Sequence, residues 1–442
     1  MRIMSLLVVW VAVALLLIPM LACSSADSDE EETVPDRQVD DDTPFDPGSG
    51  DDDNDDSATD DDSAADDDTA TDDDTGGDDD DDNDDNDNDD NNDDDDNDDN
   101  DDNNDDDASP PPSDMVVDDA NGFTDVALDA AGDPHIVYHK LLTGLKHAAW
   151  NGASWDIEVI DNGLNNGRHA AIAMDPAATT VYAVYQDGLN NLLKAAMQTE
   201  KGWDISTVVE SLEGDAWCDI VVDVNGYRYV SYHDAASGAL CFARHLGTEW
   251  ETEVVVAGTA VGLYTSIVLA AGVFHISYYD ADSKSLMVAS GDFGAWSTAV
   301  VDAPATEEED LGRWSSLAVD GTGDLHVTYQ DAGLLDLRYA KYHDGVWTPE
   351  IVHAIGNQGA DACLALDTAD RPYIAYQDSR GDPSLREVWF DGSVWRRSVL
   401  LDGGMFAGSF GFWVGCDYGM QGLVVSHYYT LDHYLMIYPA FP

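Results

Sequence analysis

From Met115 onward the chain alternates between short apolar runs and polar punctuation. The runs are four to eight residues long and rich in Val, Ile, Tyr and Trp; Gly, Asn and Asp separate them. One stretch shows the unit clearly. Residues 315–320 form a first run, and Gly321-Thr322-Gly323-Asp324 form a turn. Residues 325–331 and 336–342 follow, then His343-Asp344-Gly345, then residues 346–352. Period-2 alternation with β-branched and aromatic residues predicts strands rather than helices. No segment here carries a helical apolar stripe.

The unit recurs. A Tyr closes the second run at Tyr138, Tyr185, Tyr232, Tyr278, Tyr329 and Tyr376, with a seventh copy around Ser426-His427-Tyr428. A Trp opens the fourth run at Trp155, Trp203, Trp250, Trp296, Trp347 and Trp395. Two markers keeping one period of 46–51 residues, with four strands per period, match a β-propeller blade. The expected fold is all-β, a seven-bladed propeller over residues 115–442. The last unit has only three runs, and Met115-Val116-Val117-Asp118 resembles the missing fourth (compare Ala299-Val300-Val301-Asp302). Joining the two ends would leave no unpaired ring edge.

Charge divides the rest of the chain. The formal net charge is −73. Residues 24–114 hold 46 acidic residues and one basic one, and residues 115–442 hold 45 and 16, net −29. This excess argues against nucleic acid or an anionic membrane surface as partner. Residues 24–114 lack the apolar content to offset ordering entropy, so a disordered, self-repelling tether is expected. Weak, delocalised Ca²⁺ association is the alternative to a plain spacer, since no EF-hand loop spacing occurs. No other cofactor is implied, and a monomer is expected.

Residues 1–23 place Arg2 before an apolar run from Leu6 to Ile18, the layout of a secretory signal. The sequence Met20-Leu21-Ala22-Cys23 resembles the lipobox of bacterial lipoproteins. That resemblance implies cleavage before Cys23 and acylation of its thiol and amine, a stable anchor. Ser24, where an Asp would imply inner-membrane retention, implies the outer membrane, on its periplasmic or surface side.

The turns before the marker Trp residues, Asn151-Gly152-Ala153-Ser154-Trp155, Asp344-Gly345-Val346-Trp347 and Asp391-Gly392-Ser393-Val394-Trp395, resemble degenerate Asp-boxes of the sialidase-like superfamily. The leading Ser/Thr-x-Asp spacing is mostly absent. The resemblance implies a propeller and leaves function open.

In a propeller the first strand of each blade lines the channel. The loops entering first strands and joining second to third strands share one face, here the top. Three residues before the recurrent Val, Ile or Leu of the first strand stand Phe123, His169, Trp217, Tyr264, Trp314 and Asp361. Arg168 and Arg313 adjoin two of them. This series reads either as a channel plug or as a stacking surface for a flat-faced ligand such as a sugar. Second strands end in Tyr-x-Asp, placing Asp187, Asp234, Asp280, Asp331 and Asp378 on the same face, with His233 in one middle position. These Asp residues read as turn caps or as a polar rim. His135, His275 and His326 share one register on different blades and cannot converge on one metal ion. The leading expectation is non-catalytic binding of a glycan or protein at the top face. The alternatives are a glycan-cleaving enzyme and a plain scaffold. Sialidase chemistry lacks a Glu beside a top-face Tyr; lyase chemistry would draw on His139, His169, His233 or Tyr264. Four Cys lie in the repeats, Cys218, Cys241, Cys363 and Cys416, and all three pairings remain open.

Overall fold

The structure is a computed structural model that describes residues 110–441 apart from Glu213 and Ala407. The signal segment, Cys23 and the acidic stretch up to residue 109 lie outside the described residues. A short 3₁₀ turn, Ser113–Met115, leads into 28 strands, arranged as seven four-stranded antiparallel sheets. Six sheets take four consecutive strands; the first runs Thr124–Leu128, Pro134–Lys140, Gly144–Trp150 and Trp155–Asn162. The seventh combines Phe412–Gly419, Gly422–Tyr429 and Tyr434–Tyr438 with Val116–Asp119 from the other end of the repeat region. Val116 pairs with Met436 and Asp119 with Tyr434, so the ring closes as the sequence predicts.

Both periodic markers turn out to be connectors between blades. Tyr138, Tyr185, Tyr329 and Tyr376 are fully buried. The Tyr185 hydroxyl donates to Asp161 at 2.7 Å, in the outer strand of the preceding blade, and Tyr329 donates to Asp302 in the same way. Lys194 and Arg338, from the third strand, pair with those carboxylates at 3.0 and 2.8 Å. The marker Trp serves the outer edge. The indole N–H of Trp203 donates to Glu158, that of Trp250 to Ser206 and that of Trp296 to Glu253, each one blade back. The repeat period is therefore the spacing at which one blade docks on the next. The blade-seven equivalent of the marker Tyr is His427, fully buried, with neither ring nitrogen hydrogen-bonded.

A third tier of links surrounds the channel. An inner-strand side chain accepts the inner-strand amide of the following blade: Asp125 from Ile172, Asp219 from Ile267, Ser266 from Leu317, Ser316 from Leu364 and Asp417 from Leu128, at 2.8–3.2 Å. Between blades six and seven the same level holds a disulfide, Cys363–Cys416. Of the three pairings open in the sequence, this is the one formed; Cys218 and Cys241 are free and buried.

Inner strands also begin earlier than their apolar runs suggest. The fifth spans Leu311–Val319 rather than starting at residue 315. The additional residues carry the channel mouth.

Candidate functional site at the channel mouth

Six of the seven inner strands open with the same backbone device, and Trp217 in blade three is presented without it. Gly122, Gly167, Gly262, Gly312, Gly359 and Gly411 have φ between 79° and 116°. One or two residues later Phe123, His169, Tyr264, Trp314, Asp361 and Trp413 have φ of 38–54°, the left-handed region. A Cβ on Gly262 or Gly312 would lie 2.8 Å from the Cα of Leu240 or Leu286 in the preceding blade, so only glycine fits there. Strand register slips across this point, for example between Arg313 and Ser316, and the bulge turns the next side chain into the channel. A left-handed non-glycine residue costs on the order of 1–3 kcal/mol, and such positions cluster where ligands bind. Six of the seven blades carry one.

The side chains so presented touch around the ring. Trp413 packs on Phe123 at 5.0 Å between centroids, Phe123 on His169 at 4.5 Å, and His169 on Trp217 at 4.5 Å. Trp217 meets Tyr264 at 4.3 Å and Trp314 at 5.1 Å, and Tyr264 meets Trp314 at 4.8 Å. Asp361 occupies the remaining place. Together with residues directly beneath them these side chains line a cavity of about 190 Å³. The lining holds three carboxyl groups, from Asp125, Asp219 and Asp361, and neither Lys nor Arg.

The polar members are poorly solvated. Asp361 is 9% exposed and its Oδ1 has no hydrogen-bond partner. Burial pushes its pKa up to about 7, against a smaller opposing pull from the Trp413 backbone amide. Burial likewise raises Asp125 to about 7, with the neighbouring carboxylates of Asp219 and Asp417 adding to the rise. Burial lowers the pKa of His169, against an opposing pull from Asp215, whose carboxylate lies 3.7 Å from Nε2; Nδ1 has no partner.

All six positions that the sequence brought into register line this one cavity. Trp413, the seventh, was missed because Cys416 stands where other blades carry Val, Ile or Leu. The signal was Gly411-Phe412-Trp413, which repeats the Gly-x-ring pattern of Gly262-Leu263-Tyr264. Arg168 and Arg313 lie outside the lining. Arg168 pairs with Asp215, and Arg313 with Asp310 at 2.7 Å.

The Tyr-x-Asp carboxylates are occupied locally. Asp187 accepts from the amide and side chain of Asn190, and Asp331 from the amides of Asp310, Gly333 and Leu334. Asp234, Asp280 and Asp378 accept amides two residues on. This geometry is that of turn caps, and it leaves few acceptors for a hydroxyl-binding rim. His233 donates to or accepts nothing in the cavity; its Nδ1 bonds the Val261 carbonyl at 2.7 Å. The ring contacts run from His169 through Trp217 to Tyr264, so Trp217 stands between the two residues a lyase reading would pair.

No family model matches the chain, and no curated protein matches its sequence. Several solved structures are partly similar in backbone. The protein AofleA of Arthrobotrys oligospora is 13% identical, with 65% of this chain and 88% of that one covered and a TM-score of 0.46. A lectin of Aleuria aurantia, described as a six-bladed β-propeller with a fucose-recognition mode, is 15% identical over 67% of this chain and 100% of its own, TM-score 0.44. A protein of unknown function from Dyadobacter fermentans is 13% identical over 73% and 95%, TM-score 0.46. These likenesses carry no argument about the ligand. The seven-bladed assignment rests on the sheet topology above.

Proposed function

We propose that this chain is an extracytoplasmic binding module that takes a carbohydrate at the top of its propeller channel. The observation that carries the reading is the ring of five aromatic side chains facing one small cavity, four of them (Phe123, Tyr264, Trp314 and Trp413) delivered by the same strained turn. Sugar rings present C–H faces that stack on aromatic surfaces, and convergent polar groups then fix their orientation. His169 and Asp361 stand three blades apart, the widest separation a seven-membered ring allows, and each offers unpartnered polar atoms.

The lipid anchor at Cys23 belongs to the same proposal, with the protein held at the outer membrane by its acidic segment. The strand Val116–Asp119 runs toward the top face, where Asp119 pairs with Tyr434. The described chain therefore enters the propeller from the side opposite the channel mouth.

Binding of the full chain to a glycan array tests the reading. Trp217→Ala combined with Trp314→Ala should abolish the signal of every bound glycan. Glycan binding that survives the double substitution removes the aromatic ring as the site. Metabolic labelling with a palmitate analogue, lost in Cys23→Ala, tests the anchor.

A further inference from the structure

The carbohydrate reading leaves open which sugars the cavity would accept, and its electrostatics narrow the choice. Aromatic faces carry the negative lobe of a quadrupole and attract cations, more strongly where water is excluded. Five of the seven mouth positions here are aromatic: Phe123, Trp217, Tyr264, Trp314 and Trp413. Their neighbour Asp361 is nine-tenths buried and has one carboxyl oxygen without a partner. Two further carboxyl groups, Asp125 and Asp219, line the cavity beneath them. The nearest cations, Arg168 and Arg313, are neutralised by Asp215 and Asp310 and do not reach the lining. The propeller around the site is itself acidic, net −29 over residues 115–442.

Each of these features penalises an anionic ligand and favours a cationic one. A neutral sugar would stack and could donate a hydroxyl to the Asp361 oxygen, but it would bring no charge to the aromatic faces. An ammonium group on the sugar would donate to that oxygen and place its charge against the π-faces at once. Resting on the carbohydrate reading, we propose that the channel mouth selects amino sugars bearing a free ammonium group, with Asp361 as counter-ion and the aromatic ring as cage. The cavity of about 190 Å³ suits one such head group rather than an extended chain.

Calorimetric titration of the full chain with methyl glucosaminide, methyl N-acetylglucosaminide and methyl glucoside tests this. The three probes share the pyranose ring and differ at one substituent. The expected result is at least tenfold tighter binding of the free amine than of either neutral sugar. Asp361→Asn should erase that preference, bringing the free amine to the affinity of the two neutral sugars in the same variant. Asn is isosteric with the neutral acid that burial already favours, so the variant should fold. The acidic segment is present in both proteins, so its own ion binding cancels in the comparison. Equal affinity for all three probes, or a preference that persists in Asp361→Asn, overturns the amino-sugar assignment while leaving carbohydrate binding intact. If none of the three binds, the amino-sugar assignment falls, and the glycan array alone decides the carbohydrate reading.

Discussion

Cys363 and Cys416 are joined across blades six and seven at the level where other blade pairs use an inner-strand carboxylate or hydroxyl bonded to the next blade's amide. Cys363 stands two residues after Asp361, as Asp219 stands two after Trp217 and Ser316 two after Trp314. Cys416 holds the place of Ile267 and Leu364, whose amides are accepted elsewhere. The covalent link thus replaces a hydrogen bond of the same tier, next to the blade that closes the ring.

Removing that link should lower stability without changing the fold. The bond spans 53 residues, and loop closure of that length is worth about 4 kcal/mol in the chain-entropy account. Cys363→Ser with Cys416→Ser should therefore shift the denaturant midpoint down, and reductant should shift the wild type equally while leaving the variant unmoved. A wild-type midpoint insensitive to reductant would contradict the pairing.

The hydrogen-bonded links make a parallel prediction. Asp219 accepts the Ile267 amide at 2.8 Å and the Ser266 hydroxyl at 3.0 Å. Asp219→Ala strands both donors beside the channel and should cost about 1–3 kcal/mol, the penalty of an unpaired buried polar group. Urea unfolding measures it. Asp156→Ala, on the exposed face of an outer strand, is the matched control and should change stability little.

Closure by the first strand can be tested at Val117, which packs against the buried cluster that contains Val126, Tyr138 and Leu435. Val117→Asp places a carboxylate there and should cost at least about 2 kcal/mol. It should also free the edge of Tyr434–Tyr438, an open template for pairing with a second chain. Size-exclusion chromatography should then show self-association that the wild type lacks.

Asp361 predicts a pH dependence with a definite sign. Its pKa is raised in the folded state to about 7, so the native protein binds the proton more tightly than the unfolded chain. The stabilisation relative to Asp361→Asn is complete below the ordinary carboxyl range and is lost as pH rises through about 7. The melting-temperature difference between wild type and Asp361→Asn should accordingly move against the wild type between pH 4 and 7 and flatten above. A difference that does not vary across this range would show that Asp361 is not buried as described.

Much of this architecture was legible in the chain. Tyr185 and Trp203 each mark a blade because each reaches one blade back, so the docking distance between blades is printed as a period. The alternation within a blade depends on neighbours a few residues apart, and the closing strand 115–118 matched its counterparts by the same local rule. The positions of His169, Trp217, Tyr264 and Trp314 followed from their fixed offset to the inner strand. The turn Asp residues were left open between turn caps and a polar rim, and the local amides they accept favour the caps.

What the chain alone left undecided are relations between residues that no local rule connects. Cys363 finds Cys416 because ring geometry brings two inner strands side by side; spacing allowed three pairings. Arg168 and Arg313 adjoin the ring in sequence, yet Asp215 and Asp310 hold them away from the cavity. Trp413 joins the ring because blade seven keeps the glycine bulge after losing its apolar marker. Asp361 becomes a buried acid with one unpartnered oxygen only when the blades close around it. Repetition is written locally and survives one-dimensional reading. Burial, pairing and charge at the channel arise where blades converge, and only the closed ring creates them.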